Sequence, residues 1–229
     1  MSIIKKIKKI KSQLRMFYHV KIRKDKFMEQ IYRWKNDSGD KTLRLNYPLD
    51  ENSIVVDAGG YLGDFASDIS CKYNSYIYVF EPVEEFYKKT KSRFSNNPKV
   101  QVIHAGLSDQ TAKSSISVDA TSSSIYAAGS GNFEQIQLVS ISEFIDEYNL
   151  TEIDLMKINI EGGEYPLLSS LIESNQLDIV KYYQIQFHNF VPNAEEERNK
   201  IRRKLKAKFK LLWDYPFVWE SWGKKDNVI

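Results

Sequence analysis

The sequence predicts an α/β fold, a doubly wound and mainly parallel sheet with a C-terminal antiparallel hairpin and N-terminal helices. Three observations predict it. From about residue 52, short apolar runs alternate with amphipathic stretches, which is typical of strands joined by crossover helices. A glycine-rich turn follows the first apolar run, as in sheets that bind ligands at their carboxyl ends. Two aromatic-rich runs flank Tyr215 and Pro216, which predicts the closing hairpin.

The elements before the sheet are helical in pattern. The first 26 residues carry ten Lys or Arg against one acid, and their apolar residues recur at helical spacing: Ile3, Ile4, Ile7, Ile10 and Leu14. This predicts a basic amphipathic helix over residues 1–20. Such a helix can pack on the domain with its lysines in solvent, can bind an anionic membrane through residues 1–26, or can contact nucleic acid. A second helix is predicted over residues 25–35, and a short strand over 42–45.

The regular part then follows in order. Strands are predicted over residues 53–57, 76–80, 100–104, 114–119, 134–139, 154–158 and 181–187, because these runs are apolar or alternate with serine. Helices are predicted over residues 64–72, 84–94, 140–148, 165–173 and 194–209. Residues 211–213 and 217–222 form the hairpin, and the Ser- and Gly-rich residues 121–132 form a loop.

Size and composition limit the function. At 229 residues the chain has room for one α/β domain, expected over residues 41–229, and a helical extension over residues 1–40. The net charge of +3 is too small to indicate a nucleic-acid partner. One cysteine excludes a disulfide framework. No apolar run has membrane-spanning length, so we expect a cytoplasmic protein, with peripheral membrane contact only through the basic helix.

The turn after the first strand predicts a nucleoside site. Asp57 ends the strand, Gly59, Gly60 and Gly63 shape the turn, and a helix begins at Gly63 or Asp64. Glycines allow close approach of a ligand, and a helix N-terminus favours a carboxylate. The glycine spacing differs from the dinucleotide fingerprint. Because Asp57 suits a cationic amino or sulfonium group, the turn favours an amino-acid-bearing nucleoside.

Two later turns extend this site. Glu81 follows the second strand, where an acid can accept hydrogen bonds from both ribose hydroxyls. The turn after the third strand is predicted to lie beside the adenine, with Leu107 on its face and Ser108 or Asp109 hydrogen-bonded to it.

The carboxyl ends of two further strands predict a catalytic edge. Asn159 and Glu161 follow one strand, and His188 follows the next. Histidine titrates near neutrality and can accept a proton from a hydroxyl. We expect His188 to be the base, with Glu161 orienting or replacing it. A metal site is not expected.

The motifs together resemble a known family. Val-Val-Asp-Ala-Gly-Gly, Phe-Glu-Pro, Gly-Leu-Ser-Asp and Asp-Leu-Met-Lys-Ile-Asn-Ile-Glu-Gly-Gly-Glu are similar to the FkbM-type S-adenosylmethionine-dependent methyltransferases. The resemblance implies a Rossmann-like fold of the class I methyltransferase type, S-adenosylmethionine as cofactor, and O-methylation of a sugar hydroxyl or a natural product. It implies a small-molecule or glycan acceptor, often in capsule or lipopolysaccharide synthesis, and no nucleic acid. The family has Asp where this chain has Asn159 and often Ala where it has Gly163, which shifts weight to Glu161 and His188.

Three other functions stay open from the sequence alone. A nicotinamide-dependent oxidoreductase is disfavoured by the glycine spacing. A nucleic-acid methyltransferase is permitted by the basic N-terminus, although the known nucleic-acid modules are absent. A non-catalytic adapter on the same fold is compatible with Asn159.

Overall fold

The computed structural model describes residues 18–119, 122–124 and 132–228. The helix predicted over residues 1–20 lies almost entirely outside this part, as does most of the loop predicted over residues 121–132. Residues Tyr18–Ile22 form a short π-helix, and helix α1 spans Lys26–Asn36 after the side chain of Asp25 caps its first turn. The described residues contain no helix that is long and apolar enough to cross a membrane.

The remaining elements alternate as predicted. The helices are α2 (Asp64–Tyr73), α3 (Glu84–Arg93), α4 (Ile141–Glu147), α5 (Glu164–Glu173) and α6 (Ala194–Lys208). The strands are β1 (Ile54–Ala58), β2 (Tyr76–Phe80), β3 (Val100–Ile103), β4 (Gly106–Ser108), β5 (Ala112–Asp119), β6 (Ser122–Ser124), β7 (Asn132–Ser140), β8 (Ile153–Ile158), β9 (Val180–Ile185), β10 (Phe209–Tyr215) and β11 (Trp219–Lys224).

The main sheet has the strand order β10-β11-β9-β8-β1-β2-β3. Strands β9, β8, β1, β2 and β3 are parallel, whereas β11 pairs antiparallel with both β9 and β10. This confirms the predicted doubly wound sheet and its closing hairpin. The order reverses between β1 and β8, so the turns that follow these two strands face each other across the switch point.

Both faces of the sheet are covered. Because β1 alternates sides, Val56 joins the apolar core beneath α4, α5 and α6, while Val55 joins the core beneath α2. The side chain of Trp34 attaches α1 to the hairpin through ring contacts with Trp213 and Tyr215. The regular elements therefore hold the carboxyl ends of the strands at one rigid edge.

Two sequence predictions about elements are wrong. Residues 42–45 do not form a strand, because the segment lies over the sheet face: the Arg44 carbonyl accepts a hydrogen bond from the side chain of Gln184, and Leu43–Leu45 forms a 3-10 turn. The second concerns the turn predicted after the third strand: Gly106–Ser108 instead forms strand β4, which pairs with β7 in a separate sheet of the order β4-β7-β5-β6.

Candidate active site

A cavity of about 380 Å³ opens at the carboxyl ends of β1, β2 and β8 and is closed on one side by the smaller sheet. Its lining contains six of the residues predicted for the site: Gly59, Glu81, Leu107, Ser108, Asn159 and Glu161. The other predicted residues, Asp57, Gly60, Gly63, Asp109 and His188, do not line it. The positions at the ends of the strands thus correctly predicted where the cavity lies. The five predicted residues that do not line it have other contacts in the structure.

The turn after β1 is shaped by its glycines. Gly59 has a φ of +89°, and a Cβ there would lie 1.9 Å from the carbonyl oxygen of Asn159. Gly60 packs against Val79, and Gly63, with a φ of +77°, packs against Phe94 and Thr90. The amides of Gly59 and Gly60 both donate to the Phe80 carbonyl. Gly60 and Gly63 therefore shape the turn, and neither lines the cavity.

Asp57 forms a buried ion pair beneath this turn. Its Oδ1 lies 2.8 Å from Nζ of Lys157, and the two side chains are 0% and 4% exposed. The same ammonium donates to the Gly59 carbonyl at 2.6 Å. Burial lowers the pKa of Lys157, and the adjacent Asp57 opposes that shift. We expected Asp57 to face a cationic ligand; in the structure its Oδ1 pairs with Lys157, and Asp57 does not line the cavity.

Glu81 is the carboxylate that lines the cavity. Its two oxygens accept hydrogen bonds from the amides of Tyr61 and Val83, at 2.6 and 2.9 Å. Burial raises the pKa of Glu81 to about 7, although those amides favour the ionised form. Each oxygen keeps a second lone pair, so the carboxylate is fixed and still able to accept from a diol.

The far end of the cavity is apolar. Its wall combines residues that follow β2 with residues of the smaller sheet: Pro82, Val83, Phe86, Gly106, Leu107, Ile116, Ile136 and Leu138. Leu107 and Ser108 lie in β4 and not in a turn, yet both line the cavity. Asp109 does not line the cavity, and its carboxylate accepts from Ser108 Oγ at 2.8 Å. A flat apolar ring such as adenine matches this wall.

At the opposite end of the cavity, Asn159 directly follows β8 at the switch point. Its amide nitrogen donates to the Ala58 carbonyl at 3.0 Å, which ties β8 to β1. Its side-chain Oδ1 is buried and has no hydrogen-bond partner among the described residues, as is true of Asp57 Oδ2. Buried acceptors are rarely left unpaired. A donor group on a bound ligand would satisfy Asn159.

Next to Asn159, two carboxylates enclose one imidazole. His188 Nδ1 lies 3.0 Å from Glu164 Oε1, and Nε2 lies 3.4 Å from Glu161 Oε2. Burial disfavours the charged ring, but the two carboxylates outweigh that effect and raise the pKa of His188 to about 9. The two carboxylates therefore favour the protonated ring of His188. Only Glu161 of these three lines the cavity.

Sequence reasoning missed Lys157 and Glu164 as functional residues. Lys157 is a charged residue in the apolar part of a strand, and a buried charge requires a partner. The sequence alone could therefore have indicated that Lys157 pairs with an acid. Glu164 is an acid in the first turn of a helix, where a partner for the helix dipole is the ordinary interpretation, and nothing local in the sequence distinguishes that role from the observed contacts with His188.

The residues present fit S-adenosylmethionine. The apolar wall suits the adenine, Glu81 suits the ribose hydroxyls, and the unpaired Asn159 Oδ1 suits a donor such as the ammonium of the amino-acid part. Gly59 lies so close to the Asn159 carbonyl that there is no room for a side chain at position 59.

Comparisons with known proteins agree with this geometry. A family model described as "Methyltransferase FkbM domain" matches residues 57–211. A comparison with curated protein sequences gives no significant match. A solved structure of a putative rRNA methylase from Clostridium thermocellum has a TM-score of 0.52 at 11% identity, covering 82% of this chain and 94% of that chain.

Two other solved structures are similar over comparable lengths. An rRNA methylase from Streptococcus thermophilus is 17% identical, with a TM-score of 0.46 and coverage of 82% of this chain and 93% of that chain. A putative methyltransferase from Streptococcus mutans in complex with SAH is 15% identical, with a TM-score of 0.48 and coverage of 82% and 96%. At 11% identity the likeness to the Clostridium thermocellum structure is one of fold alone, and it agrees with the fold class predicted from the sequence.

Proposed function

Because this chain belongs to the FkbM methyltransferase family, we propose that it transfers the methyl group of S-adenosylmethionine to a sugar hydroxyl of a bacterial surface glycan or its precursor. S-adenosylmethionine is the cofactor of such enzymes and supplies a methyl group activated on its sulfonium sulfur. The observation that carries the proposal is the position of Glu161. Its carboxylate lines the cofactor cavity and pairs with His188 at 3.4 Å.

The cofactor side of the cavity would fix the methyl donor. Glu81 would hold the ribose, the wall around Leu107 and Ile136 the adenine, and Asn159 the amino-acid end. Alignment of donor and acceptor converts a bimolecular step into a unimolecular one, an effect worth about 7 kcal/mol or more in favourable cases. The rigid strand ends of β1, β2 and β8 provide that alignment.

The proton of the acceptor hydroxyl goes to Glu161 in this proposal. A general base needs a free lone pair, and both ring nitrogens of His188 already face carboxylates. His188 was the first choice for the base on sequence grounds. The geometry favours a different division of roles, in which Glu161 accepts the proton and His188 orients it.

Exposed aromatic rings beside the pair support a ring-shaped acceptor. Phe190 is 47% exposed, and its ring centroid lies 5.2 Å from that of His188. Tyr61 is 47% exposed and lines the cavity. Such rings can stack on the apolar face of a sugar. Trp219 and Trp222 cannot serve this purpose because both are buried in the hairpin.

A screen with methyl-labelled S-adenosylmethionine tests the proposal. The panel contains sugar nucleotides, surface glycans, and ribosomal RNA as the competing acceptor class. We expect label in a sugar hydroxyl, a loss of about a hundredfold or more in turnover for Glu161→Gln, and unchanged cofactor affinity for that variant by calorimetry. Label in RNA, or full turnover with Glu161→Gln, would refute it.

A non-catalytic adapter is the second candidate, because Asn159 stands where the family has Asp. An adapter would bind cofactor and methylate nothing in the panel. If Asn159→Asp then gains methyl transfer, loss of this one carboxylate is the reason for inactivity; activity of the wild-type chain rules the adapter out.

A further inference from the structure

Glu164 occupies an unusual place for a helix-starting acid. It is the first residue of α5, and its side chain is 0% exposed. Glu164 Oε2 accepts from the Gly162 amide at 2.9 Å. Glu164 Oε1 accepts from the His188 amide at 2.7 Å and faces the His188 ring nitrogen Nδ1 at 3.0 Å. One buried carboxylate therefore joins the turn after β8 to the residues after β9.

The backbone conformation of the turn between Glu161 and Glu164 brings both carboxylates to the imidazole of His188. Glu161 has a φ of +51° and Gly162 a φ of +105°, both in the left-handed region that costs a non-glycine residue about 1 kcal/mol or more. This double left-handed step reverses the chain within one turn. Glu161 and Glu164, three residues apart, thereby reach opposite nitrogens of the same ring.

We propose that Glu164 is a positioning residue, which holds His188 as an imidazolium so that Nε2–H donates to Glu161 while Glu161 faces the acceptor. This inference rests on the proposed function, since it assigns Glu161 as the base. The two acids of the segment Glu161-Gly162-Gly163-Glu164 then have different roles. Glu161 lies at the cavity, and Glu164 is buried and contacts His188.

The contacts require the charged ring. A neutral imidazole has one N–H donor and one lone pair, so one carboxylate would face a lone pair. With both nitrogens protonated, each carboxylate receives a donor. The other charged or titratable groups near His188 are Tyr165, which donates to the His188 carbonyl at 2.8 Å, and Arg198, which lies 5.9 Å from the ring of neighbouring Phe187. Neither contacts the imidazole in the described residues.

Nitrogen NMR of the full chain labelled in histidine tests the proposal without any acceptor. The sequence has three histidines, and His188→Asn assigns the relevant signals by their loss. In the wild-type protein we expect both ring nitrogens of His188 to be protonated at neutral pH. In Glu164→Gln we expect its titration midpoint to fall by about one pH unit or more, because one of the two carboxylates is gone.

A matched control lies in the same spectrum. His104 Nε2 pairs with Glu84 Oε2 at 3.2 Å on the surface. Glu84→Gln should leave the His188 signals unchanged, and Glu164→Gln should leave those of His104 unchanged. An unchanged His188 midpoint in Glu164→Gln would overturn the proposal.

The wild-type protein also gives a test if Glu164→Gln does not fold. A neutral His188 ring in the wild-type protein at neutral pH would overturn the proposal by itself, and a doubly protonated ring supports it. These results do not depend on the acceptor screen. A negative screen together with the expected NMR result would refute the proposed function but not the pairing of Glu164 with a doubly protonated His188.

Discussion

The ammonium of Lys157 lies 2.8 Å from the carboxylate of Asp57, with both side chains buried in the sheet directly beneath the cofactor turn. The two residues are opposite each other in the register of β1 and β8. Because Lys157 also donates to the Gly59 carbonyl at 2.6 Å, the pair connects the sheet register with the conformation of the turn. The conformation of the cofactor turn thus depends on the charge of Lys157, although Lys157 does not line the cavity.

Lys157→Met should destabilise the protein because it leaves the Asp57 carboxylate buried without a cation. Breaking one partner of a buried pair costs about 3–5 kcal/mol, whereas replacing both partners by uncharged groups costs far less. We therefore expect Asp57→Asn combined with Lys157→Met to recover much of the loss. Urea unfolding of both single variants and the double variant measures the coupling. Additive losses in the double variant would show that the two groups do not depend on each other.

Gly59→Ala should abolish cofactor binding and lower the free energy of unfolding by more than about 1 kcal/mol. The added Cβ would meet the Asn159 carbonyl at 1.9 Å, and the φ of +89° is unfavourable for alanine. Gly163→Ala is the matched control. Gly163 also lines the cavity, but its φ is −72° and its added Cβ would meet Ile160 at 3.1 Å. Calorimetry with S-adenosylhomocysteine should show near-normal affinity for the control; equal losses in both variants would contradict the steric explanation.

Cofactor affinity should weaken as pH falls below about 7. Burial raises the pKa of Glu81 to about 7, and the ionised carboxylate accepts hydroxyl donors more strongly than the neutral acid does. Calorimetric titrations between about pH 6 and about pH 8 should show this dependence in the wild-type protein. Glu81→Gln should bind more weakly and with a flatter pH dependence, while Glu84→Gln should behave like the wild type. A wild-type affinity that does not change over this range would argue against a role for the Glu81 charge.

The stability that His188 contributes should disappear in alkaline solution. Its folded pKa of about 9 lies above the ordinary value of 6.5, so the contribution is complete below about pH 6.5 and is lost as pH rises through 9. The full effect is on the order of 3 kcal/mol. Unfolding of the wild type and of His188→Asn, compared across this range, measures it. The difference in free energy of unfolding between the two proteins should become smaller at high pH. A difference that does not change with pH would show that the imidazole charge does not cause it.

Much of the site was predictable because a parallel sheet places strand ends at one edge. Local periodicity identifies strands, and the residue after each strand then belongs to that edge. This is why Glu81, Asn159 and Glu161 line the cavity and why His188 lies beside it. The same reasoning fails for Asp109 and for residues 42–45, whose conformations depend on the pairing of β4 with β7 and on the side chain of Gln184.

The sequence by itself determined the order of the elements, the doubly wound sheet, and the class of ligand that the strand ends can hold. Tertiary structure alone decided which charges meet. Asp57 and Lys157 are 100 residues apart, and Glu164 and His188 are 24 residues apart. Their pairing depends on which strands become neighbours, because the two partners of each pair stand on or after different strands. For this reason the position of His188 between two carboxylates became visible only once β8 and β9 lay side by side.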